Sequence, residues 1–270
     1  MRARLERVAR RLVARPPVVA VVRLHGVIMA GGMSRRTLDA AAVGPALERA
    51  FGLDRLVAVA LQINSPGGSA VQSALIAERV REHADASGMP VIAFCEDVAA
   101  SGGYWLACAG DEIYADESSL VGSVGVISAG FGLQELIERI GVERRVHTAG
   151  EHKAKLDPFA PEDAEDVAWL RGVQDEIHEA FKRMVIERRG DRLRGSHDEL
   201  FDGQVWTGRP AVELGVIDGV ASLRPHMRER FGSDVIFTPV GQRRSPLARL
   251  GLESLLDAAQ ARAAWARYGL

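Results

Sequence analysis

The sequence predicts an α/β protein. From residue 18 onward, apolar runs of strand length alternate with segments whose apolar residues recur at helical spacing. Turn-forming residues separate the two kinds of segment, as in 64–68 (Asn-Ser-Pro-Gly-Gly) and 87–88 (Ser-Gly). The chain has 270 residues and a hydrophobic content of 47%, which is enough for one large or two small globular domains.

The individual elements follow from this periodicity. Strands are predicted over residues 18–28, 56–63, 90–95, 112–115, 124–128 and 142–148. Helices are predicted over residues 37–51, 69–86, 102–109, 131–140 and 161–189, with short ones near 197–200 and before Gly215. The long helix is expected to begin at Pro161 because proline and the acidic residues after it suit a first helical turn, and Gly190 suits its end.

Both ends of the chain carry amphipathic patterns. Residues 1–17 combine six arginines with apolar residues on one helical face, and Pro16-Pro17 separates this basic segment from the body. Such a segment suits a solvated terminal helix, an oligomer contact or a peripheral contact with an anionic membrane surface. The tail from Leu247 also has helical spacing and predicts an appended C-terminal helix that serves packing or assembly.

Composition excludes several classes of function. A net charge of -2 argues against a globally basic nucleic-acid-binding protein. Cys95 and Cys108 lie in apolar surroundings without a histidine or cysteine at metal-ligand spacing, so they are predicted to be reduced core residues. The apolar run at 18–22 is too short for an export signal or a membrane span. We therefore expect a cytoplasmic protein without cofactor, metal or nucleic-acid partner.

Lysine is scarce in this chain. Of 34 basic residues only three are lysines, namely Lys153, Lys155 and Lys182. Arginine stays protonated at any working pH, whereas a desolvated lysine can lose its proton and act as a general base. Lys153 follows Gly150 and a predicted strand, where its side chain could turn inward. Lys155 remains an alternative, and Lys182 is expected on the outer face of the long helix.

Ser101 is the candidate nucleophile. It lies between an apolar strand with its exit loop and the Gly102-Gly103 pair that opens a predicted helix, so the Gly102 amide could bind a developing negative charge. A second glycine pair, Gly67-Gly68, also follows a strand and opens a helix. The Gly68 amide is therefore the predicted second donor of an oxyanion hole, with Gly67 as the alternative. Taken separately, the two motifs also suit a helix cap and a tight turn.

The base that would activate Ser101 is predicted to be a lysine. A serine–histidine–aspartate arrangement needs a histidine in a matching motif, but no histidine occurs between His83 and His147. His152, next to Lys153, is the competing candidate.

Four motifs together resemble the signal peptide peptidase A (SppA) family. They occur at residues 61–68 (LQINSPGG), 100–104 (ASGGY), 122–126 (GSVGV) and 150–153 (GEHK). The resemblance covers roughly residues 18–221. It implies a Clp/crotonase-like spiral of ββα units that carries a serine–lysine dyad, with Ser101 as nucleophile and Lys153 as general base. It also implies that Ser123 hydrogen-bonds the lysine amine and orients it.

The same resemblance predicts the organisation of the protein. We divide the chain into a basic N-terminal segment (1–17), a peptidase domain (18–221) and a C-terminal extension (222–270). Bacterial relatives usually carry an N-terminal membrane anchor, which is not expected here, and some carry two tandem copies of the domain. A single-copy chain is expected to form a homo-oligomeric ring or dome, in which the serine and lysine of one site can come from different subunits.

The predicted function is that of a serine endopeptidase. It would cleave extended peptides with small or apolar side chains near the cut, such as signal-peptide remnants, through an acyl-enzyme on Ser101. A crotonase-like acyl-CoA enzyme is an alternative, because that fold also holds an oxyanion with two backbone amides, but it would typically use a glutamate or aspartate base. A catalytically silent scaffold is the third possibility.

Overall fold

The structure, a computed structural model, describes residues 15–31, 37–241 and 262–269. Its strands are β1 (Val18–His25), β2 (Val27–Ile28), β3 (Thr37–Leu38), β4 (Leu56–Ser65), β5 (Val91–Ala100), β6 (Glu112–Ala115), β7 (Leu120–Gly122), β8 (Val205–Trp206), β9 (Gly219–Val220) and β10 (Ile236–Val240). Its helices are α1 (Ala40–Phe51), α2 (Ala70–Ser87), α3 (Gly102–Ala107), α4 (Gln134–Arg139), α5 (Ala164–Arg189), α6 (His197–Leu200), α7 (Gly208–Glu213) and α8 (Leu223–Phe231). The α/β prediction is confirmed.

The main sheet is almost entirely parallel. Its strand order is β10-β1-β4-β5-β6-β9, and only the pairing of β7 with β8 is antiparallel. The central strand β5 changes neighbours along its length, because Ile92–Cys95 pair with β6 whereas Val98–Ala100 pair with β7. The sheet therefore changes direction at the carboxyl half of β5, where β7 replaces β6 as the neighbouring strand. The predicted nucleophile, Ser101, follows directly after this half.

Both faces of the sheet are covered. The larger core lies between one face and the helices α1, α2, α3 and α5, and the smaller core lies beneath α8, whose Met227 packs against Val19 and Phe94. Strands covered on both sides need apolar residues at nearly every position, which explains their continuous apolar runs in the sequence. α8 and β10 belong to this packing, since β10 pairs with β1.

The long helix α5 is held at both ends. Asp163 caps its N-terminus by accepting hydrogen bonds from the backbone N–H groups of Glu165 and Asp166, so the helix begins at Ala164, three residues after the predicted start at Pro161. At its C-terminus the buried guanidinium of Arg189 pairs with Asp218 at 2.7 Å and donates to the Gly215 carbonyl. α5 is therefore a rod of 26 residues whose last turn is anchored in the body.

Two predicted strands are wrong. Residues 124–128 and 142–148 have no regular secondary structure, and the helix predicted over 131–140 is limited to α4. Val124 is buried, but the apolar side chains of Ile127, Val142 and Val146 are exposed. No strand among the described residues pairs with these segments, and a strand needs a partner for its backbone groups.

Two smaller outcomes concern the ends of elements and of the chain. The strand predicted over 18–28 is interrupted at Gly26, whose φ of 114° turns the chain between β1 and β2. The predicted N-terminal amphipathic segment falls almost wholly on residues outside those described, as does most of the predicted tail helix, of which 262–266 are seen as helical. None of the described helices is both long and apolar enough to cross a membrane.

Candidate active site

Ser101 lies at the turn between β5 and α3. Its backbone has a φ of 53° and a ψ of -123°, a region that residues other than glycine rarely adopt. The turn is held by hydrogen bonds on both sides, because the Ser101 N–H donates to the Gly122 carbonyl at 2.8 Å and the Trp105 N–H donates to the Ser101 carbonyl at 3.0 Å. The structure thus holds this serine in a strained conformation at a helix N-terminus.

The glycine pair after β4 lies directly against Ser101. A Cβ atom added to Gly67 would lie 2.8 Å from both the Ser101 Cβ and the Gly102 nitrogen, and one added to Gly68 would lie 2.1 Å from the Ile28 carbonyl oxygen. Both glycines have a positive φ. Only residues without a side chain can bring the two strand ends this close.

Two backbone N–H groups beside Ser101 have no acceptor among the described residues. The Gly102 amide is in the first turn of α3, where N–H groups lack intrahelical partners, and the Gly68 amide is likewise free. A Cβ on Gly102 would lie 3.4 Å from the Gly68 nitrogen, so the two amides are neighbours. The Gly67 amide, in contrast, donates to Ser65 Oγ at 3.2 Å. This arrangement can bind an oxyanion through Gly68 and Gly102.

Ser123 is brought to the same place by β7. It has a φ of 54°, is 9% exposed, and its N–H donates to the Gln204 carbonyl at 2.7 Å. Ser101 and Ser123 line one cavity of about 310 Å³. The structure therefore brings together four of the five predicted site residues: Ser101, Ser123, Gly68 and Gly102.

A second cavity beside Ser101, of about 400 Å³, has a largely apolar wall. Besides the glycines and Ser101, its lining includes Val27, Trp105, Val126, Ile127, Ile177, Phe181, Ala264 and Arg267. Trp105 of α3 stacks on Phe181 of α5 with 4.7 Å between the ring centroids. This stack fixes part of the wall and leaves an apolar surface next to Ser101.

Lys153 is not brought to Ser101 within the chain. Its side chain is exposed and lines neither cavity beside the serine. It belongs to residues 150–160, here termed the lysine loop, which follows a stretch of exposed residues from Ser128 onward. His152 is exposed as well.

Lys155, the alternative base, is engaged elsewhere. Its ammonium forms an ion pair with Asp166 at 2.6 Å, and this carboxylate raises the pKa of Lys155. A lysine held in its charged form by a carboxylate is a poor proton acceptor. The conformation of the lysine loop thus favours Lys153 over Lys155 as a base.

Two contributors to the site were missed in the sequence. His178 of α5 lines the cavity shared by the two serines, and its Nε2 lies 3.1 Å from the Val124 carbonyl oxygen. Because a carbonyl can only accept, this nitrogen must donate a hydrogen and is not free to take the proton of Ser101. Phe181 lies one turn further along α5. Helical periodicity placed both residues on a helix but contained no signal of their proximity to Ser101.

The buried cysteines play no part in this site. Cys95 and Cys108 both lie in the core, and burial raises the pKa of each thiol, to about 11 for Cys108. Thiols that remain protonated are poor nucleophiles.

The turning parallel sheet and its two glycine-rich strand ends are those of the Clp/crotonase-like proteins. Within that class the chain belongs to peptidase family S49, the SppA family, whose model matches residues 83–229, more than half of the chain. The resemblance inferred from the four motifs is thereby confirmed.

Relatives with curated names match this chain over part of their length. The chain is 48% identical over 283 residues to a protein named Na(+)/H(+) antiporter NhaA from Brucella abortus (strain 2308), covering 97% of this chain and 38% of that protein. It is 32% identical over 214 residues to Protease 4 of Haemophilus influenzae, covering 77% of this chain and 33% of that protein. The chain therefore spans about a third of the length of these relatives. The part of this chain that aligns with the Brucella protein includes the residues that match the S49 peptidase model. The antiporter name therefore gives no reason to assign transport to this chain.

A solved structure shares the fold. The 1510-N membrane-bound stomatin-specific protease, a mutant in complex with a substrate peptide, aligns with a TM-score of 0.56 and 15% identity, covering 91% of this chain and 100% of that one. At this identity the likeness concerns the fold alone.

Proposed function

We propose that this S49 peptidase is a serine endopeptidase in which Ser101 of one subunit is activated by Lys153 of a neighbouring subunit. One observation carries the proposal: within the chain Ser101 has its oxyanion donors and Ser123 beside it, whereas Lys153 is exposed and lines neither cavity. A site that is complete except for its base requires the base to arrive from elsewhere, and a second copy of the chain carries it.

The proposed chemistry is acyl transfer. Ser101 Oγ attacks the peptide carbonyl carbon as its proton passes to the Lys153 amine, and the amides of Gly68 and Gly102 bind the oxyanion that forms. Collapse of this intermediate breaks the C–N bond, and the leaving amine takes the proton from Lys153. Water then hydrolyses the Ser101 ester by the same route in reverse. Ser123 is proposed to accept a hydrogen bond from the lysine and so orient it.

Assembly would also prepare the lysine for this role. Burial of an amine against a neighbouring subunit penalises its charged form and favours the neutral base. Exposed apolar side chains support such burial. Between β7 and α5 they are Ile127, Phe131, Leu136, Ile140, Val142, Val146 and Leu156. Exposed apolar residues this numerous on one segment are typical of an interface, and a homo-oligomeric ring or dome would cover them.

The proposed substrate is a peptide in extended conformation. Residues 125–127 line the cavities at Ser101 and are not part of a strand, so their backbone can pair with a peptide by strand addition. The apolar wall containing Trp105, Ile177 and Phe181 suits small or apolar side chains near the cut, as in remnants of signal peptides. No cofactor enters this scheme.

The acyl-CoA alternative receives less support. It needs an acidic base near the nucleophile's position, and Asp202 is the only described carboxylate that lines either cavity beside Ser101. Asp202 is exposed and accepts a hydrogen bond from the Gln204 N–H at 2.8 Å, an Asx-type turn. Membership of a peptidase family favours peptide cleavage further.

Mixed oligomers test the proposal. Ser101→Ala and Lys153→Ala proteins should each be inactive towards an apolar peptide substrate, and Ser101→Ala should also lose labelling by a fluorophosphonate probe. After dissociation and joint reassembly, the mixture should recover about a quarter of wild-type activity, because random mixing pairs an intact serine with an intact lysine at about one interface in four.

The matched control is Lys182→Ala, which removes a lysine that pairs with Glu179 on α5 and lines neither cavity beside Ser101, and which should leave full activity. Mixed oligomers that form, as native mass spectrometry would show, yet recover no activity would contradict the shared site. Cleavage by Ser101→Ala alone would contradict the nucleophile.

A further inference from the structure

One carboxylate holds the lysine loop at two consecutive residues. Asp166 Oδ1 accepts a hydrogen bond from Lys155 Nζ at 2.6 Å, and Asp166 Oδ2 accepts one from the Leu156 N–H at 2.8 Å. The side chains of Lys155 and Asp166 are only 17% and 18% exposed. A carboxylate that uses both oxygens in a shielded setting restricts geometry far more than an exposed ion pair does.

The backbone that Asp166 binds is strained. Among the described residues, four non-glycines have a positive φ, namely Arg55, Ser101, Ser123 and Leu156. Leu156, with a φ of 57°, lies three residues after Lys153. A leucine in this region persists only where its surroundings hold it. Loss of the hydrogen bond from its N–H to Asp166 would let the backbone relax. The orientation of the preceding residues, including Lys153, would then change.

Asp166 itself is tied to the body of the protein. It lies in the first turn of α5, where the Asp163 side chain accepts a hydrogen bond from its N–H at 3.3 Å. The same helix carries Phe181, stacked on Trp105, and ends at the buried Arg189. One continuous helix therefore connects the lysine loop to the part of the protein that holds Ser101.

The contact also accounts for the second lysine of the loop. An ammonium is a point donor and occupies one Asp166 oxygen, leaving the other for the Leu156 N–H. Arginine tends to bind both oxygens of a carboxylate as a planar fork, which would compete with that N–H. In a chain whose 34 basic residues include only three lysines, Lys155 occurs where a single-point cation is needed.

We propose that Asp166 is a positioning residue for the catalytic base: by binding Lys155 and the Leu156 N–H it fixes the direction in which Lys153 is presented to Ser101 of the partner subunit. This inference rests on the proposed function. Asp166 touches neither substrate nor the reacting atoms. It acts through the loop.

The first experiment compares three variants of the assembled enzyme. Asp166→Ala removes both contacts, Asp166→Asn keeps an acceptor for the Leu156 N–H but loses the charge, and Asp175→Ala removes an exposed aspartate from the same helix as the matched control. We expect kcat to fall about tenfold to a hundredfold for Asp166→Ala, because small misplacements of a reacting group cost this much. The kcat of Asp166→Asn should lie between those of the wild type and Asp166→Ala, with KM and subunit number unchanged.

A purely structural role would give another result. It would lower the yield of oligomer or the melting temperature and leave kcat per assembled site unchanged, and that outcome would overturn the inference. If Asp166→Ala does not assemble, the variants Asp166→Asn and Lys155→Arg test the inference in its place. Each should lower kcat without raising KM, and wild-type kcat in both would equally overturn it.

Mixed oligomers separate this inference from the proposed function. Asp166→Ala is placed either on the subunit that supplies Lys153, within Ser101→Ala, or on the subunit that supplies Ser101, within Lys153→Ala. The loss of recovered activity should be confined to the first mixture. Equal recovery in both mixtures would refute the role of Asp166 and leave the shared site standing. Failure of the parent Ser101→Ala and Lys153→Ala mixture to recover would instead refute the shared site.

Discussion

The serine-bearing and lysine-bearing halves of the site are built in opposite ways. Ser101 lies between a central strand and a buried helix, against a glycine pair whose neighbours leave no room for a side chain. The segment from Ser128 to the lysine loop is mostly exposed. It is stabilised by contacts between side chains and not by a hydrophobic core. Asp157, for example, pairs with Arg144 and accepts a hydrogen bond from the Phe159 N–H at 2.9 Å.

This difference is the basis for the proposal that the site is shared between subunits. Burial and backbone hydrogen bonds hold Ser101, so the proposed nucleophile and its proposed oxyanion donors are in place within one chain. The lysine half presents apolar side chains to solvent, which is costly for an isolated chain. The two halves should therefore respond to substitution differently: the serine half through stability and chemistry, and the lysine half through assembly and geometry.

The largest effect is expected in the serine half, from Gly68→Ala. The new Cβ would lie 2.1 Å from the Ile28 carbonyl oxygen at a φ of 141°, so the strand end must move and take the Gly68 amide with it. Loss of one oxyanion donor lowers kcat by about a hundredfold to a thousandfold. Steady-state kinetics and thermal unfolding would measure this.

Gly172→Ala in α5 is the matched control, because no atom lies within 4 Å of the added Cβ. Alanine should stabilise that helix by about 0.5–1 kcal/mol. Full activity in Gly68→Ala would show that the close approach is not needed for catalysis.

An intermediate effect is expected in the lysine half, from Phe131→Ser. Phe131 is 85% exposed in the single chain, so its loss should not affect folding of the subunit. In an assembly that buries this ring, the substitution would remove about 1.5–3 kcal/mol of apolar burial and raise the dissociation constant of the oligomer at least tenfold. Mass photometry over a dilution series would measure the shift.

Ile236→Ser is the control for that experiment, because Ile236 is exposed at the amino end of β10 beside the start of β1, whereas Ser101 follows the carboxyl end of β5. It should leave the oligomer unchanged. Equal stability of the two oligomers would argue against an interface at Phe131.

The smallest effect is expected from pH at the lysine loop. The Lys155 contact lowers the pKa of Asp166, so the stabilisation it contributes is present above the ordinary aspartate pKa of about 3.9 and is lost as the pH falls through the lowered value. Hydrogen exchange of the Leu156 amide, corrected for its intrinsic rate, should therefore speed up only under strongly acidic conditions. Loss of protection between pH 7 and 5 would contradict this contact.

Local patterns predicted the serine half well for a physical reason. An apolar run, a glycine pair and a helical pattern follow one another directly in residues 56–86 and again in 90–109, so strand, turn and helix could be read without long-range information. The long helix was also found, since its acidic start and glycine end are local signals.

The lysine half was predicted poorly for the complementary reason. Residues 124–128 and 142–148 have strand-like composition, but a strand exists only where another strand pairs with it, and none among the described residues does so. The choice between Lys153 and Lys155 also stayed open on spacing. Only the structure shows that Lys155 is bound by Asp166, which lies on a different element, and this contact supports our proposal of Lys153 as the base.

The sequence by itself determined the α/β alternation, the two glycine-rich strand ends and the motifs that resemble SppA, because these depend on residues adjacent in the chain. Only the tertiary structure decided that the amides of Gly68 and Gly102 are neighbours, that Ser123 and His178 share a cavity with Ser101, and that Lys153 lies apart from it. Those relations join residues far apart in the chain, and they are set by the pairing of β5 with β4 and β7 and by the packing of α5 beside these strand ends.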